Sequence, residues 1–177
     1  ERYDFSCAIS DQNGDLVANA PHVPVHLGSI SESVRTVLRE NAGKIRPGDV
    51  FMMNNPFNGG THLPDVTVIT PVFDPTGVTS LYTVASRGHH ADIGGKTPGS
   101  APPDSRTIEE EGVVIDNFLL VEQGHLRDAE TRALLSLGSY PCRNVDQNMA
   151  DLAAQIAANA TGGAELQKIT AQFGIDA

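Results

Sequence analysis

The stretch that decides the fold runs from Gly59-Gly60-Thr61-His62-Leu63-Pro64-Asp65 through VTVITPVF (66–73), Asp74-Pro75-Thr76-Gly77 and VTSLYTVA (78–85) to Ser86-Arg87-Gly88-His89-His90-Ala91-Asp92-Ile93-Gly94-Gly95. Val66 to Phe73 and Val78 to Ala85 are rich in β-branched residues and read as two strands. Asp74-Pro75-Thr76-Gly77 is turn chemistry, with Pro presetting φ and Gly accepting a positive φ. A turn centred between Pro75 and Thr76 predicts Asp65 opposite Ser86 and His62 opposite His89. The hairpin then brings both flanking loops to its open end. Imidazole and carboxylate groups on glycine-rich backbone are what a metal centre or an acid–base site needs. The competing expectation is a histidine-lined core closed by hydrogen bonds.

Working outward, Phe5-Ser6-Cys7-Ala8-Ile9 reads as a strand, Asn13-Gly14 as a hairpin turn, and Leu16-Val17-Ala18 as the return. Pro21-His22-Val23-Pro24-Val25-His26-Leu27-Gly28 reads as extended because its prolines oppose helix. There, His22 and His26 are expected to be satisfied or exposed. Ser29-Ile30-Ser31-Glu32 is a capping box, and Ile30, Val34, Val37 and Leu38 follow helical spacing. Asp49 to Met53 reads as a strand, leading to a loop whose Gly59 and Gly60 let a ligand approach the backbone. No element is predicted over 87–112; Val113–Ile115 and Phe118–Val121 read as strands.

The last third reads as helices: one from Asp128 to Leu137, one capped by Asp146 and broken at Gly162-Gly163, and one ending at Gly174. The face formed by Met149, Leu152 and Ile156 is expected to pack on segments outside this chain. The predicted class is α+β, a mixed or antiparallel sheet with hairpins in the first two thirds and helices in the last third.

The 177 residues suit one domain with a core of Val, Ile, Leu and Ala, since there is no Trp and only 5% aromatics. The net charge of −10, with no basic run, argues against a nucleic-acid partner. No apolar run approaches the length of a membrane span. Two cysteines, Cys7 and Cys142, make no disulfide framework and are read as reduced and buried, which places the protein in the cytoplasm. Gly94-Gly95-Lys96-Thr97 fails as a phosphate loop: His90 stands where the first Gly is required, and Pro98-Gly99 prevents the following helix. Both ends read as cut, so 1–177 is expected to be a single partial domain, inactive alone.

Several motifs together resemble the hydantoinase B family, also the C-terminal module of 5-oxoprolinase and the large subunit of acetone and acetophenone carboxylases. They are Asp4-Phe5-Ser6-Cys7-Ala8, Pro21 to Gly28, Gly48-Asp49-Val50, Asn55-Pro56, Gly59 to Thr67, Ser86 to Gly95, Pro98-Gly99-Ser100 and Glu110-Glu111-Gly112. By that resemblance 1–177 is an N-terminal fragment of the module. The family implies an ATP-dependent hydrolase that opens cyclic amides such as hydantoin or 5-oxoproline. Its partner is a hydantoinase A-like subunit or domain that binds ATP and phosphorylates the substrate, in a hetero-oligomer. A ketone carboxylase and an inactive binding fragment are the alternatives. Carried over position by position, the metal ligands fall on Asp4, His62, Asp65 and His89, with the choice between His89 and His90 depending on alignment. Two imidazoles and two carboxylates suit Zn²⁺, Mn²⁺ or Fe²⁺. His90 and Asp92 are the candidates for orienting a ligand or moving a proton. Arg87 is read either as the holder of an anionic group or as half of a structural ion pair.

Overall fold

The computed structural model describes residues 5–20, 26–99 and 102–174. Seven strands form one sheet: β1 (Phe5–Asp11), β2 (Leu16–Ala20), β3 (Val50–Met53), β4 (Asp65–Phe73), β5 (Ser80–His89), β6 (Phe118–Glu122) and β7 (His125–Leu126). Their order is β2-β1-β5-β4-β3-β6-β7, and every neighbouring pair is antiparallel. Among the described residues, three α-helices, α1 (His26–Glu40), α2 (Asp128–Leu135) and α3 (Val145–Phe173), and a short 3-10 helix at Ile108–Glu110 accompany them. The α+β expectation holds, with the sheet entirely antiparallel among these pairs.

Strand alternation builds two cores. Phe51, Met53, Ile69 and Ala85 face α1 and pack on its Ile30, Val34 and Val37. Met52, Val66, Val68 and Leu120 face the other way and pack with Met149 and Leu152 of α3. The sheet is therefore buried on both sides at its centre. The apolar stripe of α3 is covered by this chain's own sheet, not by segments outside it. Each fully buried aliphatic side chain here contributes about 1.5–3 kcal/mol. Among the described residues, no helix is long and apolar enough to cross a membrane.

The β4–β5 hairpin differs in register from the sequence expectation. Asp65 lies opposite His89 instead of Ser86, because the turn closes later, with Phe73 opposite Ser80 and Asp74 N bonded to Thr79 O, and a bulge between Val72 and Phe73 adds one more residue. β5 continues past Ala85 to His89, so what reads as loop is strand. Helix α1 starts at His26, a turn before the capping box. Pro24 upstream does not oppose this, since proline is tolerated at helix starts. Val113 to Ile115 form no strand. Instead the buried Asn54 holds them: its Oδ1 accepts from Ile115 N at 2.7 Å and its Nδ2 donates to Val113 O at 3.0 Å.

The expected break at Gly162-Gly163 does not occur; α3 runs unbroken for 29 residues from its cap at Asn144. Those glycines lie against the sheet. A Cβ on Gly162 would meet Val84 at 3.3 Å, and one on Gly163 would meet Val72 at 3.2 Å. The missing side chains bring the helix close to β4 and β5, and the packing outweighs the about 1 kcal/mol propensity cost of each glycine. Gly163→Leu should therefore lose about 1–3 kcal/mol in urea denaturation of the intact protein. Ala157→Leu, exposed on the same helix, should change stability by less than about 0.5 kcal/mol. Equal stability of the two variants would contradict this packing.

Candidate metal centre

The β4–β5 pairing sets one end of the α1 face of the sheet. Asp65 opens β4, and His89 closes β5 directly opposite. Residues directly opposite share a face, and Asp65 Oδ1 lies 2.9 Å from His89 Nδ1. A carboxylate only accepts, so His89 donates through Nδ1–H in this contact. His62 comes from the preceding loop, its Nδ1 3.7 Å from Asp65 Oδ2 and its ring 5.6 Å from that of His89. One donor atom from each of His62, Asp65 and His89 lies within 4.8 Å of the others. Asp65 is the deepest, with a side chain 11% exposed. The His62 and His89 side chains, at 38% and 30%, leave the cluster open to solvent.

Backbone contacts shape the His62 loop. Gly59 has φ +88°, and a Cβ on Gly60 would lie 2.3 Å from Asn54 O. The two glycines thus admit the chain's own backbone, not a ligand. Asn54 Nδ2 donates to Leu63 O at 2.8 Å and anchors the residue after His62.

His90 points to the opposite side of the sheet. Its Nδ1 accepts from Asn148 Nδ2 at 3.1 Å, and its Nε2 donates to Gln155 Oε1 at 3.2 Å. Burial pushes its pKa below the usual histidine value, partly offset by the Gln155 bond, so the ring is neutral near pH 7. Gln155 Nε2 in turn donates to the carbonyls of Val66 and Ser86. Asp92 is engaged by Arg143, at 2.6 Å through the guanidinium and 2.8 Å through the backbone N–H. Neither residue reaches the cluster; both fasten α3 and the segment before it to the sheet. Lys96 is held between Asp104 and Glu110, at 3.5 and 3.3 Å, and Gly94 and Gly95 lie against the backbones of Tyr140 and Glu111. That loop packs as a wall against these segments.

A family model described as hydantoinase B/oxoprolinase matches residues 1–177. The chain belongs to the hydantoinase B/oxoprolinase family. It is 49% identical over 179 residues to the 5-oxoprolinase of Saccharomyces cerevisiae, covering 98% of this chain and 14% of that protein. The chain thus spans about a seventh of that relative. The crystal structure of the ATP-dependent caprolactamase of Pseudomonas jessenii superposes with a TM-score of 0.88 at 28% identity, over 99% of this chain and 29% of that one. Acetone carboxylase, in a nucleotide-free structure, gives 0.83 at 18% identity, over 99% and 23%, and so shares the fold.

Within this hydantoinase B fold, two imidazoles and a carboxylate at one open sheet end fit a divalent cation by donor type. Asp4, the ligand carried over by resemblance, lies outside the described residues, as does His22. Phe5 pairs with Gly88, the residue before His89. Sequence reading missed His26. It is buried, with Nδ1 3.0 Å from Ser6 Oγ and Nε2 3.6 Å from Asp65 Oδ2, so three imidazoles surround one carboxylate. The spacing of His22 and His26 hid this, because it only becomes informative once the helix is known to begin at His26. Cys142 is buried as expected, whereas Cys7 is only half-buried; both are free thiols. Burial pushes the Cys142 thiol up to about 12.

The strand alternation separates the two adjacent histidines by role. His89→Ala should lose most of the bound Mn²⁺ or Zn²⁺ of the intact protein, measured by elemental analysis. His90→Ala should retain it and lose about 1–3 kcal/mol of stability, because Asn148 and Gln155 lose their partner. Metal loss in His90→Ala with retention in His89→Ala would reverse the assignment.

Proposed function

We propose that this chain is the metal-dependent catalytic module of an ATP-dependent cyclic amide hydrolase of the hydantoin- or 5-oxoproline-opening type. The observation that carries the reading is the convergence of His62, Asp65 and His89 on a chain matched to the family over its whole length. The 49% identity to a 5-oxoprolinase favours a cyclic amide over a ketone substrate, because the likeness to acetone carboxylase supports the fold alone. ATP is assigned to a hydantoinase A-like partner subunit or domain in a hetero-oligomer, working in the cytoplasm, where Cys7 and Cys142 stay reduced.

His62, Asp65 and His89 would hold a divalent cation, Zn²⁺, Mn²⁺ or Fe²⁺, with Asp4 completing the set by family pattern. Such a cation supplies Lewis acidity toward a carbonyl or phosphoryl oxygen and lowers the pKa of water. The protein's own groups prepare that position. Asp65 is held from behind by His26, whose Nδ1 meets the Ser6 hydroxyl, and from the side by His89. Both His62 and His89 face solvent, leaving a side of the cluster for substrate to approach. His90 and Asp92, proposed from sequence as proton carriers, are better supported as structural anchors by their partners Gln155, Asn148 and Arg143.

The test is ATP-dependent ring opening by the intact enzyme with its ATP-binding partner, following glutamate released from 5-oxoproline, with hydantoin and caprolactam as companion substrates. Asp65→Asn should lower turnover by about 100-fold or more while leaving ATP binding by the partner unchanged. ATP-dependent carboxylation of acetone without any ring opening would overturn the proposal in favour of the carboxylase.

A further inference from the structure

Arg87 has no place in the site as described, yet it is wholly buried at the α1 face beneath the cluster. Among the described residues no carboxylate lies within ion-pair distance of it. Burial makes it inaccessible to an anionic substrate, and among the described residues the Asp65 carboxylate favours its charged form through space without a direct ion pair. Among the described residues its hydrogen-bond partners are three hydroxyls. Nε donates to Thr67 Oγ1 at 2.8 Å, one terminal nitrogen to Ser29 Oγ at 2.5 Å, and the other to Ser33 Oγ at 2.8 Å.

These hydroxyls lie on elements that carry the site. Thr67 is two residues from Asp65 on β4, and Arg87 itself is two residues from His89 on β5. Ser29 and Ser33 belong to α1, whose first residue is His26. Guanidinium only donates, so each serine hydroxyl accepts from Arg87 and keeps its own proton to pass on. Ser29 Oγ donates to His26 O at 3.3 Å, and Ser33 Oγ donates to Gly59 O at 2.5 Å, three residues before His62. One planar fork thus connects both site strands, the start of α1 and the loop that bears His62.

We propose that Arg87 is the positioning residue of the metal centre, holding the elements of His26, His62, Asp65 and His89 in one register; this rests on the metal-centre reading. The chemistry of the side chain supports it. A buried cation held by neutral hydroxyls is costly, and for stability alone a well-packed apolar side chain often serves as well or better. What an apolar chain lacks is direction. The rigid fork fixes three hydroxyls at set angles, and lysine, a point charge on a flexible stem, cannot reproduce this. Among the described residues Arg87 makes no hydrogen bond or ion pair to His62, Asp65 or His89, so apart from the through-space attraction to Asp65 its effect is on how well the ligands are pre-set.

The experiment measures the Mn²⁺ dissociation constant of the intact protein by calorimetric titration, alongside thermal melting, for wild type, Arg87→Lys, the double variant Ser29→Ala/Ser33→Ala, and His62→Ala. Outer partners of metal ligands are typically worth about 10–100-fold in affinity. Arg87→Lys should weaken Mn²⁺ binding within that range, and the double serine variant by about tenfold, both more than their melting shifts at the assay temperature explain. If Arg87→Lys does not fold, the double variant decides. A folded double variant, or Arg87→Lys, with an affinity within about twofold of wild type would overturn the proposal and leave the metal centre standing. Wild type binding no Mn²⁺, or binding unaffected by His62→Ala, would overturn both.

Discussion

Asp65 reaches the end of its strand with its carboxylate almost out of water and three imidazoles around it: His89 at 2.9 Å, His26 at 3.6 Å and His62 at 3.7 Å. A buried carboxylate must be paired or bound to a cation. The rest of the site end follows from that requirement. β4 and β5 must pair so that His89 stands opposite. The loop after Asn54 must fold back tightly, which calls for Gly60, so that His62 arrives from the side. Helix α1 must begin early enough for His26 to close the back.

The same sheet meets opposite demands on its two faces. Toward α1 the site end is polar, with Thr67 and Arg87 beneath Asp65 and His89, and the apolar core begins only at Ile69 and Ala85. Toward α3 the corresponding positions hold Val66, Ser86 and Gly88, and the fastening is done by Gln155, Asn148 and His90. Adjacent residues His89 and His90 therefore belong to different structures: one to the cluster, the other to the attachment of α3. Near the other end, Gly162 and Gly163 let α3 lie close on Val84 and Val72, so a single unbroken helix crosses the sheet.

The sequence made the hairpin legible because β-branched runs bounded by Asp-Pro-Thr-Gly have a local physical cause. It also made the meeting of His62, Asp65 and His89 legible, although through the wrong pairs. The turn closes Phe73 on Ser80 instead of Val78, a shift of two residues, and the bulge at Val72–Phe73 adds a third, so that Asp65 moves from Ser86 to His89. The long-range parts were hidden for similar reasons. Gly162-Gly163 reads as a break in isolation and becomes a contact surface only beside Val72 and Val84. His26 reads as an isolated histidine in a proline-rich stretch until α1 is placed against β1 and β4. Arg87 reads as a candidate anion holder until Thr67, Ser29 and Ser33 are found around it.

The proposed metal centre places one divalent cation between His62, Asp65 and His89. Crystals of the intact protein grown with Mn²⁺, with diffraction recorded on both sides of the manganese absorption edge, test it most directly. One anomalous peak is expected, bonded to donor atoms of those three side chains at about 2.0–2.2 Å. A peak held instead by His90 and Asp92, or none at the open end of β4 and β5 in fully loaded protein, would contradict it.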